Sequence, residues 1–158
     1  MPDSRDDDDS LLRAIARAPN HALPGEENDP RLGSTIREKY TIDRVIGEGG
    51  MAIVYEATHR NRKKFAIKML RADVLLAKSA QSRFVREGYV ANTVGHAGAV
   101  AILDDDVTED GVAFMVMELL EGAPLDCVCG SRHESALASR AVIAIGAQVL
   151  DVLAAAHA

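Results

Sequence analysis

Three glycines within four positions separate two stretches that each have the composition of a β-strand. They are Gly47, Gly49 and Gly50, and they lie in "VIGEGGMAIVYEA", residues 45–57. Glycine lacks the Cβ that blocks positive φ or holds a ligand away from the backbone. The segment therefore predicts a β-hairpin, whose turn either carries no ligand or offers its backbone N–H groups to an anion.

Short β-type runs continue on both sides of this turn. The runs "YTIDRVI", "AIVYEAT" and "KKFAIKML" are followed by a helical pattern over residues 77–95, and then by "AVAILDD" and "VAFMVMEL". Gly95 is placed to end the helix. This order predicts an α+β fold: a five-stranded antiparallel sheet with one inserted helix, followed by a long helix at residues 135–158.

An acidic tail precedes these elements. Residues 1–34 contain the run "RDDDDS" and too few apolar side chains to offset the cost of ordering the chain, so we expect disorder. Asp6 to Asp9 fit a solvated charge run better than a metal or basic-partner site. Ser10 is predicted to cap a brief helix over "LLRAIARA".

Charge and cysteine content exclude several classes of protein. The net charge is −6, and residues 31–158 hold no excess of basic side chains, which argues against nucleic acid as a partner. Two cysteines, Cys127 and Cys129, suit a reducing cytoplasm. The stretch "AVIAIGAQVLDVLAAAHA" is interrupted by Gln148 and Asp151 and is shorter than the roughly 20 apolar residues that span a bilayer. We expect a cytoplasmic location and no membrane segment in this chain.

Lys68 lies inside the apolar run "FAIKML". The period of two along a strand places it on one face with Ala66, while Phe65, Ile67 and Met69 point the other way into a core. The small Ala66 leaves room beside the lysine for a flat group. The alternative is a lysine that only extends from the sheet edge to water.

Glu87 lies on the predicted helix, three residues after Phe84 and four before Ala91. This spacing places its carboxylate on the stripe that faces the sheet, where an unpaired charge is costly. Lys68 is the obvious partner, and the pair would hold the ammonium in position for a phosphate. Alternatively, the same salt bridge only fixes the helix on the sheet.

These segments together resemble a known family. "IGEGGMAIVYEA", "FAIK", "RFVREG", "HAGAV" and "FMVMELLEG" occur in order and resemble the N-terminal lobe of a bacterial eukaryotic-like (Hanks-type) serine/threonine protein kinase. In that family a G-x-G-x-x-G-x-V loop covers the ATP phosphates, and a lysine paired with a helix glutamate contacts them. The resemblance implies residues 35–121 as the ATP-binding N-lobe and residues 122–158 as the hinge-following segment with one or two helices of a truncated C-lobe.

The resemblance also implies roles for individual residues. Lys68 and Glu87 would be the nucleotide-positioning ion pair, and Asp126 would reach the ribose. Ala52 takes the place of the third glycine, which would stiffen the loop tip. Met117 would be the gatekeeper, and the hinge backbone would contact adenine. The implied cofactor-binding residues are Ile46, Gly47, Glu48, Gly49, Gly50, Met51, Ala52, Val54, Ala66, Lys68, Met117, Glu118 and Leu120.

Phosphoryl transfer also needs a catalytic-loop carboxylate and magnesium ligands. The motifs that carry them in this family, H-R-D-x-x-x-x-N and D-F-G, are absent from the 158 residues. We therefore expect ATP with Mg²⁺ as cofactors and a protein substrate, but a partial sequence with no metal ligand of its own and no turnover alone. The rival hypothesis is a non-catalytic kinase-lobe module for protein–protein interaction.

The remaining candidate side chains favour structural roles. Cys127, Cys129 and His133 have a C-x-C-x₃-H spacing, but a closed zinc site needs a fourth ligand and none is close in sequence. His96 matches the turn that precedes the fourth predicted strand, and His157 lies near the end of the last predicted helix. We expect both histidines to be structural.

Overall fold

The computed structural model describes residues 29–71, 78–125, 137 and 139–158, which contain six strands and two helices. Described residues up to Leu119 belong to one compact unit, and those from Leu120 onward belong to a second. The elements are β1 (Thr35–Ile36), β2 (Tyr40–Glu48), β3 (Ala52–His59), β4 (Lys64–Leu70), α1 (Lys78–Thr93), β5 (Ile102–Val107), β6 (Ala113–Met117) and α2 (Ser139–Ala156).

The strands form one sheet in the order β1-β2-β3-β4-β6-β5, and every neighbouring pair is antiparallel. All five predicted strands and the inserted helix are present. The additional strand, β1, has two residues, Thr35 and Ile36, which is too short to show the alternation that identifies a strand in a sequence.

Successive side chains of β4 point alternately into the core and to the opposite face of the sheet, as the period of two predicts. Ile67 and Met69 are fully buried, whereas Lys68 between them keeps a quarter of its side chain exposed. The buried apolar side chains come from β1, β2, β3, β4, β6, the residue before β6 and α1: Ile36, Tyr40, Ile42, Val45, Ala52, Tyr55, Ala57, Ile67, Met69, Leu70, Phe84, Val112, Ala113, Phe114, Met115 and Val116.

Helix α1 packs on β5 and β6 and ends at Thr93, two residues before Gly95. Gly95 has a φ of 60°, a left-handed conformation that glycine adopts without the steric cost of a Cβ. The predicted stop at Gly95 is therefore where the chain leaves the helical conformation. Phe84 is the large apolar side chain that α1 buries.

Ion pairs join the two edges of the sheet. Arg37, which follows β1, lies 2.7 Å from Asp106 on β5, and Arg31 lies 2.7 Å from Asp110 in the β5–β6 turn. Because β1 and β5 stand at opposite ends of the strand order, the sheet curls until these edges meet. Tyr55 also donates a hydrogen bond to Asp29. Asp29 and Arg31 therefore already contact the folded part of the chain, although they precede the predicted tail boundary at residue 34.

Helix α2 exposes much of its apolar surface. Five of its apolar side chains are each about half exposed or more: Val142, Ile143, Val149, Leu150 and Leu153. By length and composition alone, α2 is the one candidate membrane span among the described residues, with a mean hydropathy of 1.5.

Candidate functional site

The glycine turn joins β2 to β3 and is closed by a hydrogen bond from the Gly49 N–H to the Ala52 carbonyl, 2.9 Å. None of Gly47, Gly49 and Gly50 has a positive φ. A Cβ on Gly50 would meet nothing within 4 Å, and one on Gly47 would make an ordinary contact with Val54. The fold itself therefore does not require glycine here, which favours the prediction that these positions let a ligand approach the backbone.

Lys68 and Glu87 form the predicted ion pair, with Nζ 2.6 Å from Oε1. The position of Glu87 differs from the prediction, because its side chain is 54% exposed and does not face the buried side of the sheet. Phe84 takes the buried position one turn earlier on α1, and the Glu87 side chain lies at the solvent-exposed edge of the contact between helix and sheet. The ammonium also lies 5.8 Å from the centre of the Phe84 ring, a contact that the strand pattern did not predict.

The strand register places apolar side chains on the same face as Lys68. Val54 and Met115 are its direct neighbours across β3 and β6, and Ala66 pairs with Met117. Directly opposed residues of antiparallel strands share a face. Lys68 therefore lies beside small and flexible apolar side chains. Such side chains can pack against the flat face of an aromatic ring.

The predicted hinge residues fall into both compact units. Glu118 donates its N–H to the Ala101 carbonyl at 3.1 Å, and its carboxylate accepts a hydrogen bond from the Ala101 N–H at 2.7 Å. Because that N–H is already used, the group of Glu118 that remains for an adenine edge is the carbonyl. Leu120 belongs to the second unit, and its side chain is 61% exposed.

The base of the turn contains two features that sequence reasoning missed. Ile46 has no partner on β3, because the register shifts between Val45 and Gly47, and it is half-buried at this bulge. Glu48 forms an ion pair with Arg71, with Oε1 2.7 Å from Nη1. Arg71 follows directly after β4, and no periodic pattern relates it to a turn more than 20 positions away.

The remaining candidate residues fall into two groups, those outside the described residues and two histidines within them. Asp126, Cys127, Cys129 and His133 lie outside the described residues, as do Asp6 to Asp9 and the helix predicted after Ser10. His96 accepts a hydrogen bond from the Gly98 N–H at 2.9 Å, which fits the predicted turn. The ring of His157 lies 2.7 Å from the Leu153 carbonyl at the end of α2. Among the described residues, no group of three His, Cys, Asp or Glu side chains is arranged to hold a metal ion.

Comparison with known proteins then decides the family. The sequence model that describes a protein kinase domain matches residues 40–158, three quarters of the chain. The chain belongs to the protein kinase domain family. The predicted resemblance and the kinase N-lobe fold are confirmed. The match includes α2, which therefore lies within the kinase domain.

The kinase relatives are bacterial serine/threonine-protein kinases. Pkn1 of Myxococcus xanthus is 35% identical over 155 residues, covering 94% of this chain and 22% of the relative. PknA of Mycobacterium tuberculosis is 32% identical over 104 residues, covering 63% of this chain and 24% of the relative. The chain thus spans about a quarter or less of the length of these relatives.

A solved kinase structure shows the same fold. The crystal structure of the Mycobacterium tuberculosis PknI kinase domain superposes with a TM-score of 0.65 at 25% identity, covering 82% of this chain and 53% of that one. Protein kinases use ATP with a divalent metal ion.

Proposed function

We propose that this chain is the ATP-binding portion of a serine/threonine protein kinase that transfers the ATP γ-phosphate to Ser or Thr hydroxyls of a protein substrate. The observation that carries the proposal is the ion pair of Lys68 with Glu87 beside a glycine turn. The turn uses no conformation reserved for glycine. Its glycines are therefore best explained by a ligand that lies against the backbone.

Each group has a defined task in this proposal. The Glu87 carboxylate holds the Lys68 ammonium in one place, and the ammonium binds oxygens of the α- and β-phosphates. Backbone N–H groups of the turn donate to the phosphate chain. Val54, Ala66 and Met117 pack on adenine, and the Glu118 carbonyl accepts from its amino group.

The metal of this proposed reaction is Mg²⁺, which would neutralise charge on the phosphates. The chain provides no H-R-D or D-F-G residue to hold it or to orient the substrate hydroxyl. We therefore propose that the 158 residues alone bind nucleotide weakly and do not transfer phosphate. A radiolabelled γ-phosphate assay that shows turnover, abolished in Lys68→Met, would contradict this.

Calorimetric titration with Mg-ATP tests the nucleotide site directly. Lys68→Met should weaken binding by at least tenfold, because the phosphates lose their cationic partner. Lys63→Met is the matched control, since Lys63 is an exposed lysine in the turn before β4. Equal affinities of the wild type and Lys68→Met would rule out the assigned role of Lys68.

A second candidate function is a non-catalytic kinase-lobe module that binds another protein. It is favoured by the apolar side chains that α2 exposes, Ile143 and Leu150 among them. A wild type that gives no heat with Mg-ATP, but changes its oligomeric state or binds a kinase, would support it. The DNA that follows the codon for Ala158 is a cheaper test, because an open frame that continues into an H-R-D segment would favour the enzyme.

A cytoplasmic location and the absence of nucleic-acid or membrane contacts remain part of this proposal. The low cysteine content supports the cytoplasmic location. The family match over α2 supports the absence of membrane contacts. Fractionation of cells that express the chain would test the location, and recovery in the membrane pellet after a high-salt wash would contradict it.

A further inference from the structure

Arg71 contacts the glycine turn in two independent ways. Its backbone N–H donates to the Met51 carbonyl at the turn tip, 3.0 Å, and its guanidinium Nη1 lies 2.7 Å from the Glu48 carboxylate at the turn base. The ladder between β3 and β4 ends at the pair Ala52 and Leu70, directly before Arg71. Arg71 therefore extends the ladder by one bond onto the turn and adds a charged contact beside it.

The charged contact matters because of what the turn is proposed to bind. Glu48 is the acidic residue of the turn sequence "GEGGMA", and the triphosphate of a nucleotide carries several negative charges. A carboxylate without a counter-charge at the turn base would repel that chain. The side chains of Glu48 and Arg71 are 50% and 34% exposed, so water screens this pair only in part.

We propose that Arg71 is a positioning residue for the glycine turn: it fixes the turn at its base and neutralises Glu48, so that the turn accepts a phosphate chain. This inference rests on the proposed nucleotide site, but it assigns a role to a residue outside the kinase motifs. Arg71 acts through Glu48 and through the turn backbone, not by touching the nucleotide.

Titrations with Mg-ATP and with adenosine separate this role from general stability. Arg71→Ala should weaken Mg-ATP binding about two- to fivefold, the range for a partly exposed ion pair, and leave adenosine binding unchanged because adenosine has no phosphates. Adding Glu48→Gln to Arg71→Ala should restore Mg-ATP binding, because the repelling charge is gone. Arg37→Ala is the matched control, since Arg37 pairs with Asp106 at the sheet edge.

Two results would overturn the proposal. One is an Arg71→Ala variant with unchanged Mg-ATP affinity. The other is an equal loss for Mg-ATP and adenosine that Glu48→Gln does not rescue, which would indicate damage to the fold.

Hydrogen exchange of the unliganded protein gives a test that needs no nucleotide. In Arg71→Ala the Gly49 amide, which donates to the Ala52 carbonyl across the turn, should exchange several-fold faster than in the wild type, and the amides of β5 should not change. If the wild type binds neither Mg-ATP nor adenosine, the proposed function fails. Exchange at the turn then decides the role of Arg71 separately, and equal rates in both proteins would refute it.

Discussion

Gly88 on α1 lies so close to Met115 on β6 that a Cβ on Gly88 would come within 2.7 Å of the Met115 sulfur. Glycine inside a helix normally costs stability relative to alanine, so its presence here reflects the contact and not the helix. Met115 is also the direct neighbour of Lys68 across the β4–β6 ladder. The packing of α1 at Gly88 and the position of the site lysine therefore depend on the same methionine.

Gly88→Ala should lower the free energy of unfolding by about 1 kcal/mol. Alanine gains up to about 1 kcal/mol of helix propensity, but the buried Met115 must move, and overpacking of this kind costs about 1–3 kcal/mol. Urea denaturation of the wild type, both single variants and the double variant measures this. In a Met115→Ala background the same Gly88→Ala change should become stabilising, and strictly additive effects would show that the contact is not energetically important.

Glu87→Gln should separate binding from stability. The Glu87 side chain is more than half exposed, so loss of its pair with Lys68 should change the free energy of unfolding by less than about 1 kcal/mol. Mg-ATP affinity should fall, because Lys68 loses the charge that holds its ammonium in place. A variant that unfolds as readily as a core mutant would indicate a structural salt bridge instead, the alternative that the sequence left open.

Local patterns predicted the parts of this site that depend on spacing along one element. The period of two on β4 placed Lys68 opposite Ile67 and Met69, and the ordered motifs identified its partner Glu87. Helical periodicity predicts which face of a helix points toward the sheet, but not how deeply each side chain on that face is buried. For this reason the exposure of Glu87 was predicted wrongly.

Contacts between distant segments were not predictable in the same way. Arg37 reaches Asp106 across 69 positions, and Arg31 reaches Asp110 across 79. The sequence around each of these residues does not predict how far the sheet curls. The ion pairs form because the curled sheet brings its two edges together. The contact of Arg71 with the turn was missed for the same reason, since it depends on the register of β3 against β4.

Acidification should weaken the fold partly through Glu56. This side chain is buried on β3, and although burial raises its pKa, hydrogen bonds and charge from Lys64 and Arg44 outweigh that effect and lower the pKa below its ordinary value of 4.5. A lowered folded-state pKa stabilises the fold above the unfolded-state pKa, and this contribution disappears as the pH falls through the folded-state value. Stability should therefore decrease below about pH 4.5.

Glu56→Gln isolates that contribution. At pH 7 the variant should lose about 1–2 kcal/mol of unfolding free energy, because two charge-assisted hydrogen bonds are weakened at a buried position. Below pH 4 the difference from the wild type should shrink, since the wild-type carboxyl is then also losing its charge. Urea denaturation across this pH range tests it, and a difference that stays constant would exclude Glu56 as a source of the pH dependence.

Two glycines that lie in open space should respond in opposite directions to alanine. A Cβ on Gly95 or on Gly146 would meet nothing within 4 Å, so neither change creates a clash. Gly95 has a φ of 60°, and a left-handed alanine costs about 1–2 kcal/mol, so Gly95→Ala should destabilise the unit that contains α1. Gly146 lies inside α2, where alanine is favoured by about 1 kcal/mol, so Gly146→Ala should strengthen that helix.

Circular dichroism during urea unfolding compares the two variants. Equal shifts would mean that φ at Gly95 is not what ends α1, because backbone conformation is the feature that distinguishes these two positions.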